Sequence, residues 1–319
     1  MGIRGLMLGR TAEGLFWLFR YVERVDNVVR LLATAQRMAV TRIEASESDW
    51  ASILYTVGTM EDYLVRYQQV TKPDVINWLI RDEENKSSVR SCMSLIQHNA
   101  RRVRTAVTEE VWESINAGHA SIHRLINRRV SESDLSLVLS ESRRVMALIQ
   151  GMTNATMLRN EIFHFISLGA HIERADCTLR LLDVKYYLLL PSFSKVGSVF
   201  DNFQWNAVVR SVSSLGGLKM AYGTEISAAQ ILDYLVLNRV MPRSVNFCIG
   251  QISQSLNYLS FRGQRQPQSL KKSNHLLNGY LSSTADKIID YGLHEYTQKI
   301  ISLTAEISDQ ISKDFRFYE

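Results

Sequence analysis

The same order of acids and bases occurs twice in this chain. Glu-Arg-x-Asp-x-x-x-Arg-Leu-Leu runs from Glu23 to Leu32 and again from Glu173 to Leu182. On a helix with 100° per residue, Glu23 and Arg30 point within about 20° of each other, and Asp26 lies about 60° from Glu23. Glu173, Asp176 and Arg180 repeat that geometry. Asp26–Arg30 and Asp176–Arg180 are acid-before-base pairs at i,i+4, which support a helix by a few tenths of a kcal/mol. Three roles suit such a face. The charges could form a buried network joining two long helices, since ionised groups inside a protein need partners. They could line a polar pocket for a charged ligand, with Glu23 or Glu173 as general acid or base if its pKa is raised. They could also be a solvated surface.

Other residues offer weaker chemistry. Glu161-x-x-His164 has the spacing of carboxylate-bridged metal sites, and with Glu173 it allows a metal-dependent helical-bundle enzyme. Such sites need a second copy, and the corresponding positions hold Thr11 and Gly14. Asp201, Gln204 and Trp205 share one helical segment, as polar ligands or as a cap beside a buried tryptophan. In Met241-Pro-Arg-Ser-Val245, Pro242 suits a first helical turn. Ser244, free backbone N–H groups and Arg243 could hold an anion there. His171 and Tyr21 precede the two motifs at matching positions and read as packing rings with a polar tip. No nucleophile elbow, Walker loop, dinucleotide loop or HExxH motif is present, so no cofactor is assigned.

These residues must be positioned by helices. Leu15, Leu18, Val22, Val25, Val29 and Leu32 recur at helical spacing, and Thr11 suits the start of a helix reaching about residue 42. A second helix is expected from Asp49 to about Gln69, and a short one from Pro73 to Ile80. Others are expected from Ser87 to Arg104, from a Thr108 cap onward, and over 135–152 behind Ser131 and Asp134. The second long helix covers about 159–190 and ends before Pro191. Later ones are expected at 201–216, 226–238, 242–262, 270–285 and 287–314. Strand signals are nearly absent.

The repeat extends past the motif. Tyr21–Leu32 matches His171–Leu182, Trp50–Leu54 resembles Trp205–Val209, and Ser88–Cys92 resembles Ser244–Cys248. Order and near-constant spacing point to a duplicated multi-helix unit, about 10–106 and 160–262. The expected fold is all-α: one domain over 1–319, a long-helix bundle of two halves related by a pseudo-twofold axis.

Composition narrows the function classes. The 319 residues are 46% hydrophobic and 22% charged, with only four prolines. That is an ordinary globular balance with few helix breakers. The net charge of +5 lies in scattered pairs such as Arg128–Arg129 and Lys271–Lys272. No aromatic-interleaved basic stripe appears, which argues against nucleic-acid binding. Three cysteines without CxxC spacing read as reduced thiols of a cytoplasmic protein. No apolar run reaches membrane-spanning length and no signal-peptide core is visible.

Longer strings carry a resemblance. Gly9-Arg-Thr-Ala-Glu-Gly-Leu-Phe-Trp17 runs into Arg20-Tyr-Val-Glu-Arg24. With His171-Ile-Glu-Arg-Ala-Asp176, Val111-Trp-Glu-Ser-Ile-Asn116, Gln204-Trp205 and Pro242-Arg-Ser-Val245, it resembles the bacterial alpha-E family over nearly the whole chain. The resemblance implies a helical protein encoded beside circularly permuted ATP-grasp ligases and transglutaminase-like proteins. It implies a peptide-modifying or amide-forming system in which the protein either catalyses a step or serves as a ligase partner with a peptide substrate. Glu23 and Glu173 are the catalytic candidates it carries over, with Arg24, Arg30, Arg174 and Arg180 beside them. Phe19 stands where a glycine is expected, whereas Gly169 fits. The second motif is therefore expected to be the more open one.

Overall fold

The computed structural model describes residues 9–41, 47–189, 199–212, 214–260 and 266–318, with side chains over 9–38, 50–184, 205–212, 214–260 and 266–318. All regular structure among them is helical. The first seven helices are α1 (Gly9–Thr41), α2 (Glu47–Val57), α3 (Met60–Tyr67), α4 (Lys72–Ile80), α5 (Val89–Arg102), α6 (Glu109–Leu125) and α7 (Glu132–Thr156). Then follow α8 (Glu161–Leu189), α9 (Val199–Ser211), α10 (Leu215–Tyr222) and α11 (Ala228–Leu232), which runs on as a π turn over Asp233–Leu237. The chain continues with α12 (Val245–Ser260), α13 (Gln268–Gly279), α14 (Ala285–Tyr291) and α15 (Leu293–Asp314).

Local chemistry sets most of these boundaries. Ser131 accepts from the Asp134 N–H at 3.2 Å and Ser88 from the Ser91 N–H at 3.1 Å, satisfying N–H groups that a helix start leaves unpaired. Thr108 precedes α6 but does not cap it. Its hydroxyl pairs with that of Thr156 at 2.7 Å, tying the start of α6 to the end of α7. The helix expected over 49–69 is split at Gly58, whose φ of +73° ends α2. The helices expected over 201–216 and 287–314 are likewise broken. Gly292, at φ +100°, separates α14 from α15. Pro242 lies in the turn before α12 rather than in its first turn.

The two longest helices, α1 and α8, form the centre. α1 packs against α5, α7 and α8, and α8 packs against α1, α12, α15 and α2. α8 carries buried apolar side chains around much of its circumference, including Phe165, Leu168, Ile172, Ala175, Leu179 and Leu182. Such a helix lies inside a bundle. The crossing of α1 and α8 is close. A Cβ on Gly169 would lie 2.1 Å from the carbonyl oxygen of Phe16. Gly169 therefore serves helix approach and does not open a pocket. Phe19 is buried in the core.

Replacing Gly169 with alanine forces an overlap with backbone, a change that costs at least about 2 kcal/mol by analogy with overpacked cores. A methyl group added at Gly151 on α7 would meet nothing within 4 Å. Its replacement by alanine is expected to be neutral or to stabilise by up to about 1 kcal/mol. Urea unfolding of the two variants measures the contrast; equal midpoints would contradict the close crossing.

Candidate functional site: the crossed Glu-Arg pairs

Where α1 and α8 cross, the two motifs meet and exchange partners. Arg24 of the first grips Glu173 of the second, with Nε 2.6 Å from Oε1 and Nη2 3.0 Å from Oε2. Arg174 of the second donates in turn to Glu23 Oε1 of the first. Each glutamate is completed from elsewhere. Arg20, one turn before Arg24, donates to Glu173 Oε2 at 2.9 Å. Gln150 on α7 donates to Glu23 Oε1 at 2.9 Å. Arg243, in the turn before α12, reaches Glu23 Oε2 at 3.4 Å, Asp26 Oδ2 at 2.5 Å and Asn27 Oδ1 at 2.9 Å. Its own carbonyl accepts from the Thr178 hydroxyl at 2.9 Å, which fixes the turn on α8. The i,i+4 pairs form as the spacing requires, both at 2.8 Å, Arg30 to Asp26 and Arg180 to Asp176.

Burial makes these charges matter. Glu23 and Glu173 are 1% and 6% exposed. Desolvation alone would push both carboxyl groups up, toward the neutral form. For Glu173 the charges and hydrogen bonds of Arg20 and Arg24 outweigh it and hold the pKa at about 2. For Glu23 burial is likewise outweighed by Arg174 and Arg243, and its pKa also lies below the ordinary carboxylate range. Both groups are anions at neutral pH. Burial, reinforced by the Arg174 charge, lowers His171 to about 4 and keeps it neutral. Burial pushes the Cys92, Cys177 and Cys248 thiols up to about 12, so none is a thiolate at neutral pH.

The two motifs differ in what covers them. Over the first, the Arg243 guanidinium fills the space beside Asp26 and Asn27, and is itself only 11% exposed. Beside the second lies a cavity of about 310 Å³, lined among others by Arg20, Arg24, Ser87, Glu173, Asp176 and Arg180. Gly58 also lines it. A Cβ there would sit 3.3 Å from Arg180 Nη1, so the glycine that ends α2 also leaves room for that guanidinium.

The structure brings Glu23, Arg24, Asp26, Arg30, Glu173, Arg174, Asp176, Arg180 and Arg243 into one region. It does not bring Ser244. That hydroxyl is fully buried, donates to the Asn238 carbonyl and accepts from the Phe247 N–H at 3.1 Å. With Arg243 turned toward α1, the expected anion site at the start of α12 does not form. Trp205 is a buried core residue of α9, while the Asp201 and Gln204 side chains lie outside the described residues. The metal alternative also fails to assemble. His164 stacks on Tyr258 and lies 3.2 Å from the Ser255 hydroxyl. Glu173 is nine residues further along the same helix, about 13 Å away by helical rise. No cluster of three metal-ligating side chains exists among the described residues. Sequence reasoning missed Arg20, Gln150, Asn27 and Ser87. Arg20 and Asn27 share α1 with the first motif, Arg20 as an i−4 neighbour of Arg24 and Asn27 directly after Asp26; Gln150 and Ser87 come from different elements.

Acid should dismantle this region in two stages. His171 is neutral in the fold with a pKa near 4 against an ordinary 6.5, so stability is full above pH 6.5 and falls as pH drops toward 4. Glu173, at about 2 against 4.5, contributes stability above pH 4.5 that is lost as pH falls toward 2. Unfolding free energies measured across pH 2–7 should lose the upper limb in His171→Gln and the lower limb in Glu173→Gln. Unchanged pH profiles would refute the assignment.

The crossed residues are the two Glu-Arg dipeptides of the chain, Glu23–Arg24 and Glu173–Arg174. No curated protein and no solved structure matches the chain. A family model does, over residues 7–315; its description is alpha-E, a predicted alpha-helical domain with a conserved ER motif. The match spans nearly the whole chain, and both Glu-Arg dipeptides of the chain lie inside it, so the chain belongs to the alpha-E family.

Proposed function

We propose that this protein is a binding component of a cytoplasmic, ATP-grasp-associated peptide-modifying or amide-forming system. In this reading the Glu-Arg pairs are its framework and the cavity beside the second motif is its binding place. The observation that carries the reading is the contrast between the glutamates and the cavity. Glu23 and Glu173 are held ionised by paired arginines, whereas a general acid needs a raised pKa and a general base needs a free lone pair facing substrate. The cavity, by contrast, exposes one edge of the same network to a ligand. Unpaired thiols suit a reducing compartment, and no helix among the described residues is long and apolar enough to cross a membrane. A second reading keeps Glu173 as a catalytic group; its position on the cavity wall is the observation in favour.

The same proposal includes one helical domain built from two copies of a unit, about 10–106 and 160–262. Matching packing supports it: α1 lies on α5 as α8 lies on α12, and α2 lies on α8 as α9 lies on α1. Matching details support it further. The Cys92 thiol faces the Lys86 carbonyl at 3.6 Å and the Cys248 thiol the Pro242 carbonyl at 3.7 Å. Tyr67 meets Asn77 and stands edge-on to Trp78; Tyr222 meets Asp233 and stands edge-on to Tyr234. Thr71 caps α4 and Ser227 caps α11.

Co-purification with an ATP-grasp ligase of the kind the family resemblance implies tests the partnership. Binding at micromolar concentration is expected. With Arg180→Gln, product formation by the pair should fall at least tenfold while the melting temperature stays within a few degrees. Failure to bind at micromolar concentration overturns the partnership, and full product yield with the variant overturns the cavity's role.

A further inference from the structure

We propose that the cavity beside the second motif binds the free α-carboxylate end of an amino acid or short peptide, and that the first motif has lost this site because Arg243 fills it. The inference rests on the cavity being the binding place and names its ligand. Each cluster contains two acids and three arginines: Glu23 and Asp26 with Arg30, Arg174 and Arg243; Glu173 and Asp176 with Arg20, Arg24 and Arg180. Each therefore carries one surplus positive charge. The difference is where the third arginine enters.

At the first motif it is Arg243, the residue before Ser244, and it occupies the space beside the carboxylates. In the matching string the residue before Ser88 is Ser87, and Ser87 lines the cavity. There the third arginine is Arg20, which comes from α1, lies over the Trp17 ring at 4.8 Å and takes one oxygen of Glu173. The position matching Arg20 is Ala170. The second cluster thus keeps the charge of the first and leaves the space open.

What lines that space fits a carboxylate with a nitrogen beside it. Arg180 bonds Asp176 through Nε alone, and its Nη1 and Nη2 have no hydrogen-bond partner among the described residues. Arg24 uses Nε and Nη2 on Glu173, leaving Nη1. Planar guanidinium edges recognise a carboxylate with directed, charge-assisted bonds. Asp176 Oδ1 accepts no bond from the described residues, and Asp309 stands exposed at the rim. Both suit an ammonium or amide N–H next to that carboxylate. A volume of about 310 Å³ is at the small end for ligand sites, the scale of one or two residues and not of a folded partner.

Calorimetric titration with three probes tests this: the dipeptide Ala-Ala, its C-terminal amide, and inorganic phosphate. Ala-Ala should bind, and the amide at least tenfold more weakly; phosphate should bind no better than the amide. The double variant Ser87→Arg with Arg20→Ala, which carries the first motif's arrangement into the second, should abolish binding. Arg180→Gln, at a half-exposed position, should weaken it at least tenfold and guards against misfolding of the double variant. Equal binding of peptide and amide, binding of phosphate alone, or unchanged binding by Arg180→Gln overturns the proposal. Ligase capture by a protein that ignores Ala-Ala defeats this inference alone. Ala-Ala binding without ligase capture defeats the partnership alone.

Discussion

Two carboxylates sit where water barely reaches, at the crossing of the two longest helices, and each is neutralised by an arginine of the opposite helix. An ionised carboxylate in such a place is tolerable only with several directed donors, and removing one partner of a buried pair typically costs about 3–5 kcal/mol. Arg24 cannot satisfy Glu173 unless α1 and α8 lie at one register and one spacing, and Arg174 sets the same condition for Glu23. Gly169 permits that spacing by letting α8 rest on the Phe16 carbonyl. The other contacts are consequences. Gln150 on α7 and Arg243 before α12 supply donors that the crossing itself lacks, so the surrounding helices are bound to the centre through polar groups as well as apolar ones.

This arrangement changes the meaning of the motif. Acids and arginines in repeat suggest proton-transfer chemistry, yet paired arginines drive the glutamates away from the pKa range in which they would exchange protons. On the proposed reading, their strength as a framework is what keeps them from acid–base work. Among the described residues, the outer Arg180 and Asp176 keep unused hydrogen-bonding capacity and border open space. On the proposed duplication, the asymmetry that made this space is a single exchange, an arginine entering from α1 in place of one entering from the turn before a later helix.

Much of the fold was legible. Apolar residues at helical spacing located α1, Pro191 bounded the expected span of α8, Pro73 marked the start of α4, and hydroxyl residues marked those of α5 and α7. The interruptions at Gly58 and Gly292 were not, because a glycine inside a helical pattern is often tolerated and only the positive φ reveals a break. The site was half legible. Spacing put Glu23, Asp26 and Arg30 on one face, but it could not say that the face met its own copy. Nor could it show Gln150 or Ser87, which arrive from other elements with no motif of their own. Gly169 was misread for a related reason. A small residue beside a motif reads as room for a ligand, and here the room is taken by a backbone.

The central claim is that the crossed Glu-Arg pairs hold α1 against α8. A double-mutant cycle on Glu173→Gln and Arg24→Gln, measured by denaturant unfolding, tests it most directly. A coupling energy of about 2 kcal/mol or more is expected, because the two side chains form one desolvated pair. Additive effects within about 0.5 kcal/mol would show that the pair is not what joins the helices.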